Sequence, residues 1–268
     1  MSQELRLRII TGFLMACSLI LIAWIGGIWF RLCMIMIGLC IYYEWLHITN
    51  SSFLSLGEKI MRFIVFSFVF YMIIIGFFKL AACLLILYSF VDWIISRVKS
   101  RGFWHSLGIV YSGLPPIALA SLRGDGFEGF VIVFFIFSVV WSTDVFAYFV
   151  GRSIGGAKIA PNISPGKTWS GSLGGLFFGV GIGVALLSWF YSNSLQSAWV
   201  LSMMISISCQ LGDLFESYVK RCFGVKQSGW LFPGHGGVMD RFDGLIFSCL
   251  TISVISFLGD SKGYIGFF

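Results

Sequence analysis

Carboxylates, a hydroxyl and paired cations recur at helical spacing from residue 213 onward in this 268-residue chain. In Gly212-Asp213-Leu214-Phe215-Glu216-Ser217, Asp213 and Ser217 are i,i+4 neighbours, as are Glu216 and Lys220. One helical stripe therefore offers a carboxylate with a hydroxyl, and the next an ion pair. Arg221 and Lys226 follow, then the turn Gly234-His235-Gly236-Gly237, and then Asp240, Arg241 and Asp243. Glycines in such a turn admit backbone conformations and close ligand approach denied to other residues. Mg²⁺ takes oxygen ligands from a few carboxylates and leaves positions for phosphate oxygens. The pattern fits a site where a metal ion meets a phosphorylated substrate, with Asp213 and Asp240 as expected metal ligands. Plainer readings stand beside it: a charged helix end for the first segment, and a helix cap for Asp243. His235 is open to three roles, as a base, a phosphate donor or a donor that stabilises the turn.

A second polar segment lies upstream. Asp144 sits inside an apolar run, where an ionisable group marks a functional site or a polar helix–helix contact. Tyr148 and Arg152 continue its helical face. Beyond them, Gly155-Gly156, Lys158 and Ser164-Pro165-Gly166-Lys167-Thr168-Trp169-Ser170-Gly171 offer backbone N–H groups, hydroxyls and lysines that could cradle phosphate. The spacing of a Walker A loop is absent.

Composition dictates what carries these residues. The chain is 58% hydrophobic and 11% charged, with a mean hydropathy of +0.92, whereas a soluble domain carries roughly 25% charged residues. Apolar runs of near-spanning length predict an all-α, polytopic integral membrane protein. About nine transmembrane helices are expected, near 8–28, 31–48, 62–78, 80–96, 103–121, 129–150, 171–191, 198–216 and 243–259. A tight hairpin is expected at Gly26-Gly27, and Pro115-Pro116 is expected to break the fifth span or make it re-entrant. With a cytoplasmic N-terminus, fourteen of the eighteen Lys and Arg residues fall on the inner side and four on the outer. That bias places the polar loops 151–170 and 217–242 in the cytoplasm. Residues 1–100 then form four N-terminal spans and 101–268 the catalytic region. No cleavable signal peptide is expected. The net charge of +6 is spread over short loops, which fits topology and anionic lipid rather than nucleic acid. Six of the seven cysteines lie in apolar runs without a CxxC pair, and they are expected as small buried hydrophobes.

The C-terminal segment resembles the signature of the CDP-diacylglycerol synthases (phosphatidate cytidylyltransferases). The matching residues are Ser217-x-Val219-Lys220-Arg221-x4-Lys226, Gly229, Phe232-Pro233 and His235-Gly236-Gly237-Val238-x-Asp240-Arg241-Phe242-Asp243. Upstream, Asp144-x3-Tyr148-x2-Gly151-Arg152 and Ser164-Pro165-x-Lys167-Thr168 are similar to the same family. Two positions depart from it: Gln227 stands where an aspartate is usual, and Ser170 where glutamate is frequent. The resemblance implies transfer of a cytidylyl group from CTP to phosphatidate at the inner, cytoplasmic membrane, giving CDP-diacylglycerol and pyrophosphate. It implies Mg²⁺ held by Asp213 and Asp240, with a second, monovalent cation left open. It also implies phosphate contacts from Ser217, Lys220 and Arg221. His235, Gly236, Gly237, Arg241, Lys226, Asp144, Lys167 and Thr168 are the further expected substrate-binding residues. Membrane lipids are implied partners, and a homodimer is left open.

Two other classes are weighed against this reading. A CTP-dependent kinase of polyprenol-type lipids would release CDP rather than pyrophosphate. A transporter would place its charges near the midplane with access from both sides, whereas these gather at one face.

Overall fold

The computed structural model describes residues 3–49, 54–99, 102–191, 195–229 and 236–260. Nine helices are present among the described residues: α1 (Gln3–Ile25), α2 (Gly27–Ile48), α3 (Leu56–Ile75), α4 (Phe78–Val98), α5 (Trp104–Arg123), α6 (Phe127–Ile154), α7 (Trp169–Phe190), α8 (Leu195–Cys222) and α9 (Met239–Asp260). They correspond one to one with the expected segments. By length and composition, α2, α4, α6, α7 and α8 can each cross a membrane. The chain is thus an all-α polytopic membrane protein with one addition. Strands β1 (Lys158–Ala160) and β2 (Ser164–Thr168) form an antiparallel hairpin where the sequence predicts a loop. Two compact units emerge, 1–126 with 227–241, and 127–226 with 242–268. The units do not divide at residue 100, because α5 packs along α2 and α4.

In the first unit, Gly26 (φ 64°) and Gly27 (φ 54°) turn the chain from α1 into α2. Arg123, at the end of α5, clamps that turn by donating to the carbonyls of Ala23 (2.5 Å) and Trp24 (3.1 Å). It also donates to the carbonyl of Gly126 at 2.9 Å. Arg123 is buried and satisfied by backbone oxygens. Trp45 of α2 is fully buried against Tyr111 and donates to the Trp104 carbonyl at 2.8 Å.

A polar lattice joins four helices of this unit. Arg62 on α3 pairs with Asp92 on α4 at 2.7 Å and donates to the Tyr42 hydroxyl on α2 at 2.7 Å. Ser106 of α5 donates to the other oxygen of Asp92 at 2.8 Å. Arg62 is buried as part of this lattice.

The expected break in the fifth span is absent: α5 is continuous, with Pro115 and Pro116 inside it. Pro116 cannot donate to the Ser112 carbonyl, which would ordinarily weaken the helix. Here α2 closes over that point. A Cβ on Gly38 would stand 2.9 Å from the Ser112 carbonyl and 2.8 Å from the Pro116 ring. Packing by a neighbouring helix holds a proline-containing span together.

The second unit is built on glycine. Gly171, Gly175, Gly179 and Gly183 form a stripe at four-residue spacing on α7, and each meets α6. The Cβ atoms they lack would strike the carbonyls of Ala147 and Thr143, the Thr143 hydroxyl and Val139. Small residues in such a stripe let membrane helices approach closely. Thr143 then donates to Ser206 of α8 at 2.9 Å. Gly212 of α8 and Gly244 of α9 give the same closeness between those two helices, where Ser248 donates to the Ile205 carbonyl at 3.2 Å. Of the cysteines expected to be buried, only Cys209 and Cys249 are. Cys17 and Cys83 are exposed on helix faces, where an apolar thiol suits lipid as well as core.

Two stability predictions follow from this packing. Gly179→Leu should destabilise by at least about 1–3 kcal/mol through overpacking, read as a lower melting temperature in detergent. Gly181→Ala, which points into open space, should leave the melting temperature unchanged or raise it. Asp92→Ala should cost about 3–5 kcal/mol by stranding a buried arginine, whereas the double variant Arg62→Met/Asp92→Leu should recover most of that loss in the same assay.

Candidate active site

The hairpin and α8 assemble the first part of the site, within the second unit. α8 runs unbroken to Cys222, so its last turns carry Asp213, Glu216, Ser217, Lys220 and Arg221 on successive faces. The two stripes expected from spacing are both present. Ser217 donates to Oδ1 of Asp213 at 3.4 Å, and Lys220 pairs with Glu216 at 2.5 Å. Glu216 is buried. Basic residues in the last turn also complement the negative end of the helix dipole.

The hairpin brings a further cation. Lys167 of β2 reaches Oδ2 of Asp213 at 2.5 Å. From α8, Arg221 donates back to the Ile163 carbonyl in the hairpin turn at 3.2 Å and to the Val225 carbonyl at 3.3 Å. The segment read as a phosphate-cradling loop is thus a hairpin pinned onto the end of α8. Thr168, expected at the phosphate, is buried and N-caps α7 by accepting the Gly171 amide at 3.1 Å. Arg152 donates to the Tyr148 hydroxyl at 2.7 Å, the i,i+4 pairing that its face predicted.

Carboxylates converge behind Asp213. Asp144 of α6 accepts the thiol of buried Cys209 at 3.4 Å. Asp243 of α9 accepts the Gly244 amide at 2.8 Å and stands in Coulomb range of Asp213, Glu216 and Asp144. Asp243 is therefore more than a helix cap: it joins an acidic cluster drawn from three helices.

The motif residues around Asp240 belong to the first unit. Oδ2 of Asp240 accepts two backbone amides, from Ser228 and from Gly237, each at 3.0 Å. Gly236 adopts φ +83°, and a Cβ there would stand 2.5 Å from the same oxygen, so this turn requires glycine. Arg241, Lys226 and Gln227 are exposed. His235 lies outside the described residues, as do Phe232, Pro233 and Gly234 of the motif. Asp213 belongs to the second unit and Asp240 to the first.

Glu44 was missed by the sequence reading. It is buried on α2 and accepts the Val238 amide on Oε1, with the Met239 amide and the Ser228 hydroxyl on Oε2, each at 2.8 Å. An acidic residue inside an apolar span is a signal that could have found it. The sequence reading applied that signal to Asp144 and not to Glu44 or Asp92.

Among the described residues, no group of three or more His, Cys, Asp or Glu side chains is placed to hold a metal ion. The donor set nevertheless suits a hard cation. Asp144, Asp213 and Asp243 are all oxygen donors of the kind that a hard cation takes.

Residues 6–258 match the model of the cytidylyltransferase family. The chain is 40% identical over 251 residues to the phosphatidate cytidylyltransferase of Brucella abortus, covering 91% of this chain and 90% of that protein. It is 38% identical over 161 residues to the one from Rickettsia bellii, covering 57% of this chain and 67% of that protein. Against the one from Staphylococcus aureus it is 40% identical over 152 residues, 56% of each chain. The resemblance carried by the Ser217–Asp243 and Asp144–Thr168 segments thus extends over nearly the whole sequence, and the chain belongs to the cytidylyltransferase family.

Proposed function

We infer that the chain transfers the cytidylyl group of CTP to phosphatidate, giving CDP-diacylglycerol and pyrophosphate, with the reacting groups gathered at the end of α8. The observation that carries this reading is the likeness to phosphatidate cytidylyltransferases, 40% identical along nine-tenths of the chain. The clustering of Lys167, Lys220 and Arg221 around the Asp213 end of α8 supports it.

The nucleophile needs little activation. A phosphate monoester has a second pKa near 6, so a phosphatidate headgroup is largely dianionic at pH 7. One of its oxygens attacks the α-phosphorus of CTP, the bond from that phosphorus to the bridging oxygen breaks, and pyrophosphate leaves with the electron pair. The obstacle is bringing two polyanions together and stabilising charge on the departing group. Fixed cations meet that need by electrostatics and positioning. Lys220, Arg221 and Arg241 neutralise phosphate oxygens, Lys226 adds a further charge, and Ser217 donates a hydrogen bond. Lys167, paired with Asp213 in the absence of substrate, can exchange that carboxylate for a phosphate oxygen. Gly236 and Gly237 offer backbone against which the nucleotide phosphates lie, and His235 is a further phosphate-binding residue by its place in the motif. Thr168 contributes by capping α7 and so fixing the strand that carries Lys167.

Mg²⁺ is the proposed metal, with Asp213 and Asp240 as its ligands and Asp144 completing the metal or nucleotide site. When bound it supplies positive charge at the triphosphate. The excess of Lys and Arg on one side supports a cytoplasmic site, reached laterally by a lipid whose tails stay between helices.

Purified protein given labelled CTP, phosphatidate and Mg²⁺ should form a lipid-soluble cytidine product and pyrophosphate in equal amounts, and chelation should stop the reaction. Asp213→Ala and Asp240→Ala should each lower kcat at least about a hundredfold with the fold intact. Unchanged turnover in either variant would remove that residue from the site. Release of CDP with a phosphorylated lipid would replace the reading with a lipid kinase.

A further inference from the structure

Glu44 is a carboxylate on α2, distant in sequence from every motif residue, yet its hydrogen bonds go to the segment that carries Asp240. Oε1 accepts the Val238 amide, and Oε2 accepts the Met239 amide and the Ser228 hydroxyl, all at 2.8 Å. The segment is shaped to receive it. A Cβ on Gly229 would stand 2.7 Å from Oε1, and a Cβ on Gly237 would run into both Ser228 and Oε2. A buried carboxylate is costly unless its lone pairs are filled. Here three donors fill them, two of them amides at the start of α9, where negative charge also suits the helix dipole.

The same residues continue to Asp240. Ser228 gives its hydroxyl to Glu44 and its amide to Asp240 Oδ2. Gly237, whose amide is the second donor to that oxygen, directly precedes Val238, which Glu44 holds. Glu44 and Asp240 therefore hold the same short backbone frame through adjoining donors. The direction of Asp240 is set by two amides that Glu44 keeps in place.

We propose that Glu44 is a positioning residue that orients Asp240 for cation and substrate binding. It acts through the 228–229 and 237–239 backbone and touches no substrate. This proposal rests on the reading of Asp240 as a site carboxylate. Residues that fix the direction of a ligating group commonly change metal affinity or activity by about 10–100-fold when altered.

The test compares Glu44→Gln, Glu44→Asp and Ser228→Ala with the wild type as purified full-length proteins. Glutamine keeps the shape but turns an NH₂ toward a donor, aspartate keeps the charge but falls one methylene short, and alanine removes one of the three bonds. Amide exchange should accelerate across 226–241 in Glu44→Gln, and less in Ser228→Ala, with no change across the end of α8. The Mg²⁺ concentration giving half-maximal cytidylyl transfer should rise about tenfold in Glu44→Gln, and less in Glu44→Asp, while KM for phosphatidate holds. Wild-type exchange in 226–241, or a wild-type Mg²⁺ requirement, would overturn the proposal. So would a loss of activity that merely tracks the loss of folded protein. If Glu44→Gln does not fold, Ser228→Ala decides by the same two readouts. If the wild type itself transfers no cytidylyl group, the proposed function has failed instead. Exchange together with Mg²⁺-induced protection of 226–241 then decides the role of Glu44, and equal protection in wild type and Glu44→Gln refutes it.

Discussion

Every charge placed among helices that cross a bilayer needs a partner, because water is not there to solvate it. That constraint shapes both units of this chain. In the first, Arg62 is matched to Asp92, and Arg123 spends its guanidinium on four carbonyls that close the α1–α2 turn and the end of α5. In the second, Lys167 is held on Asp213 and Lys220 on Glu216. A buried ion pair is weak evidence for added stability, since desolvation offsets much of the attraction. Its effect is on geometry. Partners that cannot be stranded hold their helices in one register.

The second unit shows how close packing and charge combine. The glycine stripe of α7 brings its backbone onto α6, and Gly212 and Gly244 do the same for α8 and α9. With side chains absent at those contacts, Asp144, Asp213 and Asp243 come within mutual electrostatic range although they arise from three helices. The ends of α6 and α8 and the start of α7 meet the hairpin, where Lys167 pairs with Asp213 and Arg221 donates to the Ile163 carbonyl. Phosphate chemistry needs these two things together: oxygen ligands for a metal, and fixed cations for the oxygens of the substrate.

Much of the fold was legible in sequence. Each expected segment has its helix among the described residues, and five of these helices are long and apolar enough to cross a bilayer, where an apolar run has few alternatives. The Gly26-Gly27 turn was legible for a local reason, since only glycine takes those positive φ values readily. The β1–β2 hairpin was not legible. Its strands are short, β2 carries serine, proline and glycine, and the two pair because the end of α6 and the start of α7 bring them together. The break expected at Pro115-Pro116 failed for a tertiary reason, as Gly38 lets α2 close over the weakened turn. Thr168 looked like a phosphate ligand from its neighbours, and its role as a cap depends on where α7 begins.

Sequence alone determined the membrane class, the helix count, the family resemblance and the identity of the charged residues, because composition and local spacing suffice for these. The i,i+4 pairings within α8 were equally determined, since one helix geometry governs them. Tertiary structure decided which charges meet across helices. Lys167 finding Asp213, Asp243 joining Asp144, and Glu44 reaching the residues that hold Asp240 all link positions far apart in the chain. Nothing in local spacing encodes those encounters. They follow from which helix faces pack together, and in this protein glycine, proline and buried charge set that packing.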